Sequence, residues 1–133
     1  MSSGELGKVY NAGDVIFRQG EVGNCMFVIQ SGRAEVIGER DGQEIRLAEL
    51  AQGDFFGEMA LFEKIPRSAT VRAVTEVRAL TVDKKILLKK IHEDPSLAFR
   101  IMQTMSRRIR DLDTQLMSLQ TGGSNARRRA LQE

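Results

Sequence analysis

The chain has 133 residues and a net charge of +2, with 41% hydrophobic and 29% charged side chains; this is the size and composition of one soluble globular domain, not of a disordered chain. One cysteine, Cys25, and one histidine, His92, exclude an intramolecular disulfide framework, a structural zinc site and the histidine-clustered cupin oxygenases, and no third group orients them as a nucleophilic pair. No apolar run approaches the roughly 18 residues of a membrane span, and the start MSSGELGKVY has no secretory apolar region, so a cytoplasmic protein without membrane association is expected.

Short strands punctuated by glycine are predicted over about 8–83. Val15-Ile16-Phe17 closes on Gln19-Gly20, Met26-Phe27-Val28-Ile29 on Ser31-Gly32, and Ala34-Glu35-Val36-Ile37 leads to Asp41-Gly42. Beyond that dipeptide Ile45 and Leu47 alternate with Glu44 and Arg46. Asp-Gly between two such runs predicts a hairpin with a type I′ turn, which needs positive φ at both central residues. Gly53-Asp54 marks a corner, and a last strand pair is predicted over Ser68–Ala73 and Val77–Val82. Seven or eight strands at this spacing give a sandwich or rolled barrel.

Helical periodicity starts after Asp83, with Ile86, Leu87, Leu88 and Ile91, and restarts at Asp94-Pro95, an N-cap followed by proline in the first turn. From there to Gln120 two apolar series recur every seven residues, Met102, Ile109, Leu116 and Ala98, Met105, Leu112, Leu119, an a/d seam of about three heptads. The N-terminal half of this helix is expected to pack inward and the C-terminal half to pair with a second copy, making a homodimer. Residues 121–133 read as a short flexible basic tail. Residues 1–83 hold nine basic and thirteen acidic side chains (−4), residues 84–133 eleven basic and five acidic (+6). Lys84, Lys85, Lys89, Lys90, Arg107, Arg108 and Arg110 lack aromatic interleaving and read as a solvated helix face rather than a nucleic-acid patch.

The chemistry concentrates in Gly53-Asp54-Phe55-Phe56-Gly57-Glu58-Met59-Ala60-Leu61-Phe62-Glu63-Lys64-Ile65-Pro66-Arg67-Ser68-Ala69-Thr70. Gly57 permits close backbone approach, and Glu58-Met59-Ala60-Leu61 suit one helical turn whose first amides are free to meet an anion. Pro66 orients Arg67, whose planar fork suits a phosphate, and Glu58 offers an acceptor for a sugar hydroxyl. Read structurally, Glu58 and Arg67 are only an ion pair stapling a barrel corner.

This stretch resembles the phosphate-binding cassette of the cyclic nucleotide-binding domain family. Gly20-Glu21-Val22-Gly23, Met26-Phe27-Val28-Ile29 and Ser31-Gly32-Arg33-Ala34-Glu35-Val36 resemble its β-roll glycines in order and spacing; Asn24 stands where an aspartate is often seen. PRSATVRA and the helix after Asp94-Pro95 are similar to the sensor domain of bacterial Crp/Fnr-type regulators. The resemblance implies a mainly β fold with flanking helices, a jelly-roll-like double-stranded β-helix over 8–83 followed by helices over 84–120 with a long dimerisation-type C-terminal helix, in one domain of residues 1–120.

It also implies a ligand site. Backbone amides around Gly57, Met59 and Ala60 face the cyclic phosphate, Glu58 accepts from the ribose 2′-OH, and Arg67 pairs with a phosphate oxygen. Ser68 and Ala69 add hydroxyl and backbone contacts, and Glu58 and Arg67 pair with each other in the empty site. Asp113 stands where the bacterial branch contacts the base. The expected function is a non-enzymatic sensor, with no catalytic residue, cofactor or metal, that binds cAMP in preference to cGMP and rearranges its C-terminal helix. The thirteen residues after Gln120 are too few for a winged helix-turn-helix, so direct DNA binding by this chain is not expected. A fragment of a Crp/Fnr-type regulator, or a vestigial dimerisation module that binds no nucleotide, are the alternatives, and any downstream protein partner stays open.

Overall fold

The computed structural model describes residues 6–120; the expected basic tail lies outside the described residues. These divide into two compact units, one ending at Lys89 and the other beginning at Lys90.

The first unit holds strands β1 (Lys8–Tyr10), β2 (Val15–Phe17), β3 (Cys25–Ser31), β4 (Ala34–Arg40), β5 (Gln43–Leu50), β6 (Phe55–Phe56), β7 (Thr70–Ala73) and β8 (Val77–Asp83), with the short helix α1 (Glu58–Phe62) between β6 and β7. They form two four-stranded antiparallel sheets, ordered β1-β8-β3-β6 and β2-β7-β4-β5. Phe27, Ile29, Phe56, Val77 and Ala79 of the first sheet meet Phe17, Ala34, Leu50, Val71 and Ala73 of the second in one apolar core, the expected β-roll.

The Asp-Gly hairpin forms as the sequence predicts. Asp41 and Gly42 both have positive φ, 56° and 77°, so the turn twists with its strands, and β4 pairs with β5 from Ala34↔Leu50 to Arg40↔Gln43. The strand expected from Ser68 begins at Thr70, because Arg67 still bonds outside the sheet: Gly20 donates to its carbonyl at 2.8 Å and its own N–H donates to the Glu21 carbonyl at 2.8 Å. In β2 the register against β7 slips between Val15↔Arg72 and Phe17↔Val71. This bulge at Ile16 turns the Phe17 ring into the core.

Helix α2 (Lys84–Glu93) starts where Asp83 accepts the Ile86 N–H at 2.8 Å, the cap expected there. In the second unit, α3 (Ser96–Gln120) begins beside Asp94, whose carboxylate accepts from the Ser96 hydroxyl at 2.6 Å and from Arg100 at 3.2 Å. The Ser96 hydroxyl first, and Arg100 next, hold this carboxyl below the usual carboxylate range. Along α3, Ile101 is buried and Ala98 and Met105 are half-buried, whereas Met102, Ile109, Leu112, Leu116 and Leu119 are exposed. Among the described residues no helix is long and apolar enough to cross a membrane.

Candidate anion-binding site

Strand β6 ends at Phe56, and the chain enters α1 through Gly57 at φ 76°, ψ 15°. That left-handed geometry is strained for any residue with a Cβ, so glycine is required at this corner. Glu58, Met59 and Ala60 occupy the first turn, where backbone N–H groups have no acceptor within the helix. Glu58 is buried there, its acidic group at the positive end of the turn.

Ten residues on, Arg67 is only 7% exposed. Its Nη1 donates to the Gly57 carbonyl oxygen at 2.7 Å, and its Nη2 lies 3.7 Å from the Cys25 sulfur. Its guanidinium carbon stands 4.2 Å from the centre of the Phe17 ring and 5.6 Å from that of Phe27, both within cation–π range. These rings pack with Phe56 at centroid separations of 5.2–5.8 Å, so the arginine caps the aromatic end of the core. The guanidinium turns its Nη1 to the Gly57 carbonyl.

Arg67 thus stands beside the Gly57 peptide, and the first-turn amides of α1 follow directly in the chain. A guanidinium fork next to helix-start amides is an arrangement that can take an anion.

Of the expected site residues, Gly57, Glu58, Met59, Ala60 and Arg67 are thus placed along one corner. Met59 is partly exposed and Ala60 buried. Ser68 is exposed and Ala69 buried, at the entry to β7. Asp113 is exposed on α3, in the second unit. Asn24 is exposed as well. Cys25 is half-buried and touches Arg67, while His92 is exposed on α2. Phe17, Gly23 and Cys25 were not expected at the site. Phe17 sits in an uninterrupted apolar run and Gly23 reads as a turn, so neither carries a local sign of contact with Arg67. Among the described residues no group of three or more His, Cys, Asp or Glu is arranged to hold a metal ion.

Residues 7–94 match the family described as the cyclic nucleotide-binding domain. The chain is 33% identical over 109 residues to a CRP-like cAMP-activated global transcriptional regulator of Mycobacterium tuberculosis, covering 80% of this chain and 48% of that protein. It is 42% identical over 76 residues to a cAMP-dependent protein kinase regulatory subunit of Schizosaccharomyces pombe, covering 57% of this chain and 18% of the relative. The crystal structure of the Thermus thermophilus catabolite activator protein superposes with a TM-score of 0.75 at 33% identity, over 84% of this chain and 53% of that one. The chain thus spans about half or less of the length of these relatives. The β-roll, the cassette corner and these matches together make the chain a member of the cyclic nucleotide-binding domain family.

Proposed function

We propose that this chain is a sensor module that binds a cyclic purine nucleotide, cAMP in preference to cGMP, at the corner formed by α1 and Arg67, and leaves it chemically unchanged. The observation that carries this reading is the buried guanidinium of Arg67 held next to the Gly57 peptide at the start of α1. Arg67 takes a phosphate oxygen, the amides at Gly57, Met59 and Ala60 take others, and Glu58 accepts from the ribose 2′-OH. Ser68 and Ala69 line the same entry. The preference for cAMP is supported by the names of the two curated relatives, one cAMP-activated and one cAMP-dependent. Asp113 is carried as the acceptor for the exocyclic amino group of the base.

The proposal extends to a cytoplasmic homodimer paired through the exposed apolar residues of α3, with residues 1–120 as one domain whose long helix is repositioned by ligand. Ligand shifts such an equilibrium only by its differential affinity for the two states. No catalysis, metal or DNA contact is part of it.

Calorimetric titration with cAMP and then cGMP, on protein stripped of ligand by unfolding and refolding, tests the reading. Binding at about micromolar affinity or tighter, roughly −8 kcal/mol, is expected for the preferred nucleotide. No heat with either, on protein shown to be refolded, rejects it. Asp113→Ala should narrow the difference between the nucleotides, and Leu112→Asp should give monomers in sedimentation; an undisturbed dimer would place that residue outside the pairing surface.

A further inference from the structure

Arg67 stands far along the chain from the groups that surround it. Several of the groups that hold it belong to the stretch from Phe17 to Cys25. The Phe17 ring lies against its guanidinium at 4.2 Å. Gly20 and Glu21 clip its backbone through two hydrogen bonds of 2.8 Å. Cys25 meets Nη2. A Cβ built on Gly23 would stand 2.6 Å from Nη2 and 2.9 Å from Cζ and Nε, so the guanidinium is pressed flat against the Gly23 backbone.

Gly23 is not among the positive-φ residues. Its side chain is missing for clearance, not for conformation, and what it clears is the arginine. The contacts of this slot include an aromatic face, a glycine backbone, a thiol and a carbonyl oxygen. Shape and ring face, rather than a conformational demand at Gly23, fix the direction of the fork.

We propose that Phe17 and Gly23 are the positioning residues of the anion site, setting the plane of the Arg67 guanidinium for phosphate. This rests on the nucleotide reading above and adds which residues tune its phosphate affinity. The methyl of Gly23→Ala would collide with the mobile end of a flexible side chain, so the roll should fold while the guanidinium moves. Phe17→Leu keeps apolar volume and removes the ring face; Phe17→Tyr keeps the face.

The test uses the full 133-residue chain, with thermal unfolding to establish folding, calorimetry with cAMP and cGMP, and the Arg67 Nε–H resonance in ligand-free protein as the spectroscopic signature. With the Phe17 ring 4.2 Å from the guanidinium carbon, that resonance is expected to carry a ring-current shift in the parent chain. Gly23→Ala is expected to weaken nucleotide binding about 10-fold and Phe17→Leu somewhat less, each moving the Arg67 resonance, while Phe17→Tyr stays within about twofold and leaves it in place. Unchanged affinity in Gly23→Ala overturns the inference, and so does lost affinity with an unmoved Arg67 resonance. If the parent chain binds neither nucleotide, the proposed function fails and positioning is judged with inorganic phosphate, read at the same resonance. A response in the parent chain at lower phosphate than in Gly23→Ala upholds positioning; equal responses, or none, overturn it.

Discussion

Arg67 and Arg72 lie on either side of the start of β7 and belong to opposite electrostatic regimes. Arg72 reaches the outer face of its sheet, where Glu35 accepts from it at 3.3 Å and Glu44 at 3.5 Å. Glu35 also faces Arg46, and Arg46 and Arg33 share Glu49. Every arginine of that network is at least 32% exposed at its side chain, and water already satisfies much of its charge. Arg67 is buried on an aromatic floor, with its Nη1 on a backbone carbonyl. One arginine lies in a half-exposed network of side chains, the other against rings and backbone at the entry to α1, and burial makes the second charge the costlier to keep. A buried guanidinium at such a corner is where an incoming anion would be felt most.

Substitutions at the two arginines should therefore behave in opposite ways. Arg67→Ala is expected to reduce cyclic nucleotide affinity about 100-fold or more, as two charge-assisted bonds are lost, while unfolding free energy stays within about 1 kcal/mol, because the desolvation cost of a buried charge is removed together with its packing. Calorimetry and denaturant unfolding on the same samples check both halves. A large loss of stability with unchanged affinity would reverse the contrast.

Gly57→Ala comes next. Its Cβ would stand 2.6 Å from Nη1 of Arg67 and 3.1 Å from Phe17, and the left-handed φ adds about 1–2 kcal/mol of strain. Affinity and melting temperature should fall together, unlike in Arg67→Ala. Arg72→Ala should leave affinity within about twofold and change stability by about 0–1 kcal/mol, less at high salt, as for exposed ion pairs.

The smallest effect belongs to Asp94, a fully exposed carboxylate paired with Arg100 at the start of α3. Its folded value is lowered, so its contribution is complete above the unfolded value near 3.9 and fades as pH falls through the lower folded one. Amide exchange at Ser96 and Leu97 should speed up below about pH 4 relative to the intrinsic rate, and Asp94→Asn should abolish that pH dependence. A pH-independent ratio in the parent chain would show that the cap bonds do not persist in solution.

Much of this was legible in the sequence, and the rest was hidden for local reasons. Asp41-Gly42 announced its turn because only a few residue types tolerate its dihedrals; Gly57 and Pro66 announced the cassette through their backbone roles, and Arg67 through the fork that suits a phosphate. Phe17 gave no signal: Val15-Ile16-Phe17 has no alternation, and the bulge at Ile16 decides which ring turns inward. Gly23 looked like any loop glycine, since the atom it makes room for is supplied by Arg67 from another strand connection. The two-residue strand β6 is too short for any period to show.

The hairpin turn at Asp41-Gly42 separates the stretch that holds Arg67 from Arg67 itself. Neither half of the chain, taken alone, contains both the clamp and the side chain it clamps. The binding corner comes into being only when distant strands have found their register, the slow and cooperative part of assembling such a topology. Ligand occupancy is then a readout of completed folding, and it returns the favour: each tenfold excess of ligand over Kd adds about 1.4 kcal/mol to the whole roll, not to one loop. A chain severed at that turn would make a complementation pair in which nucleotide promotes reassembly of the halves.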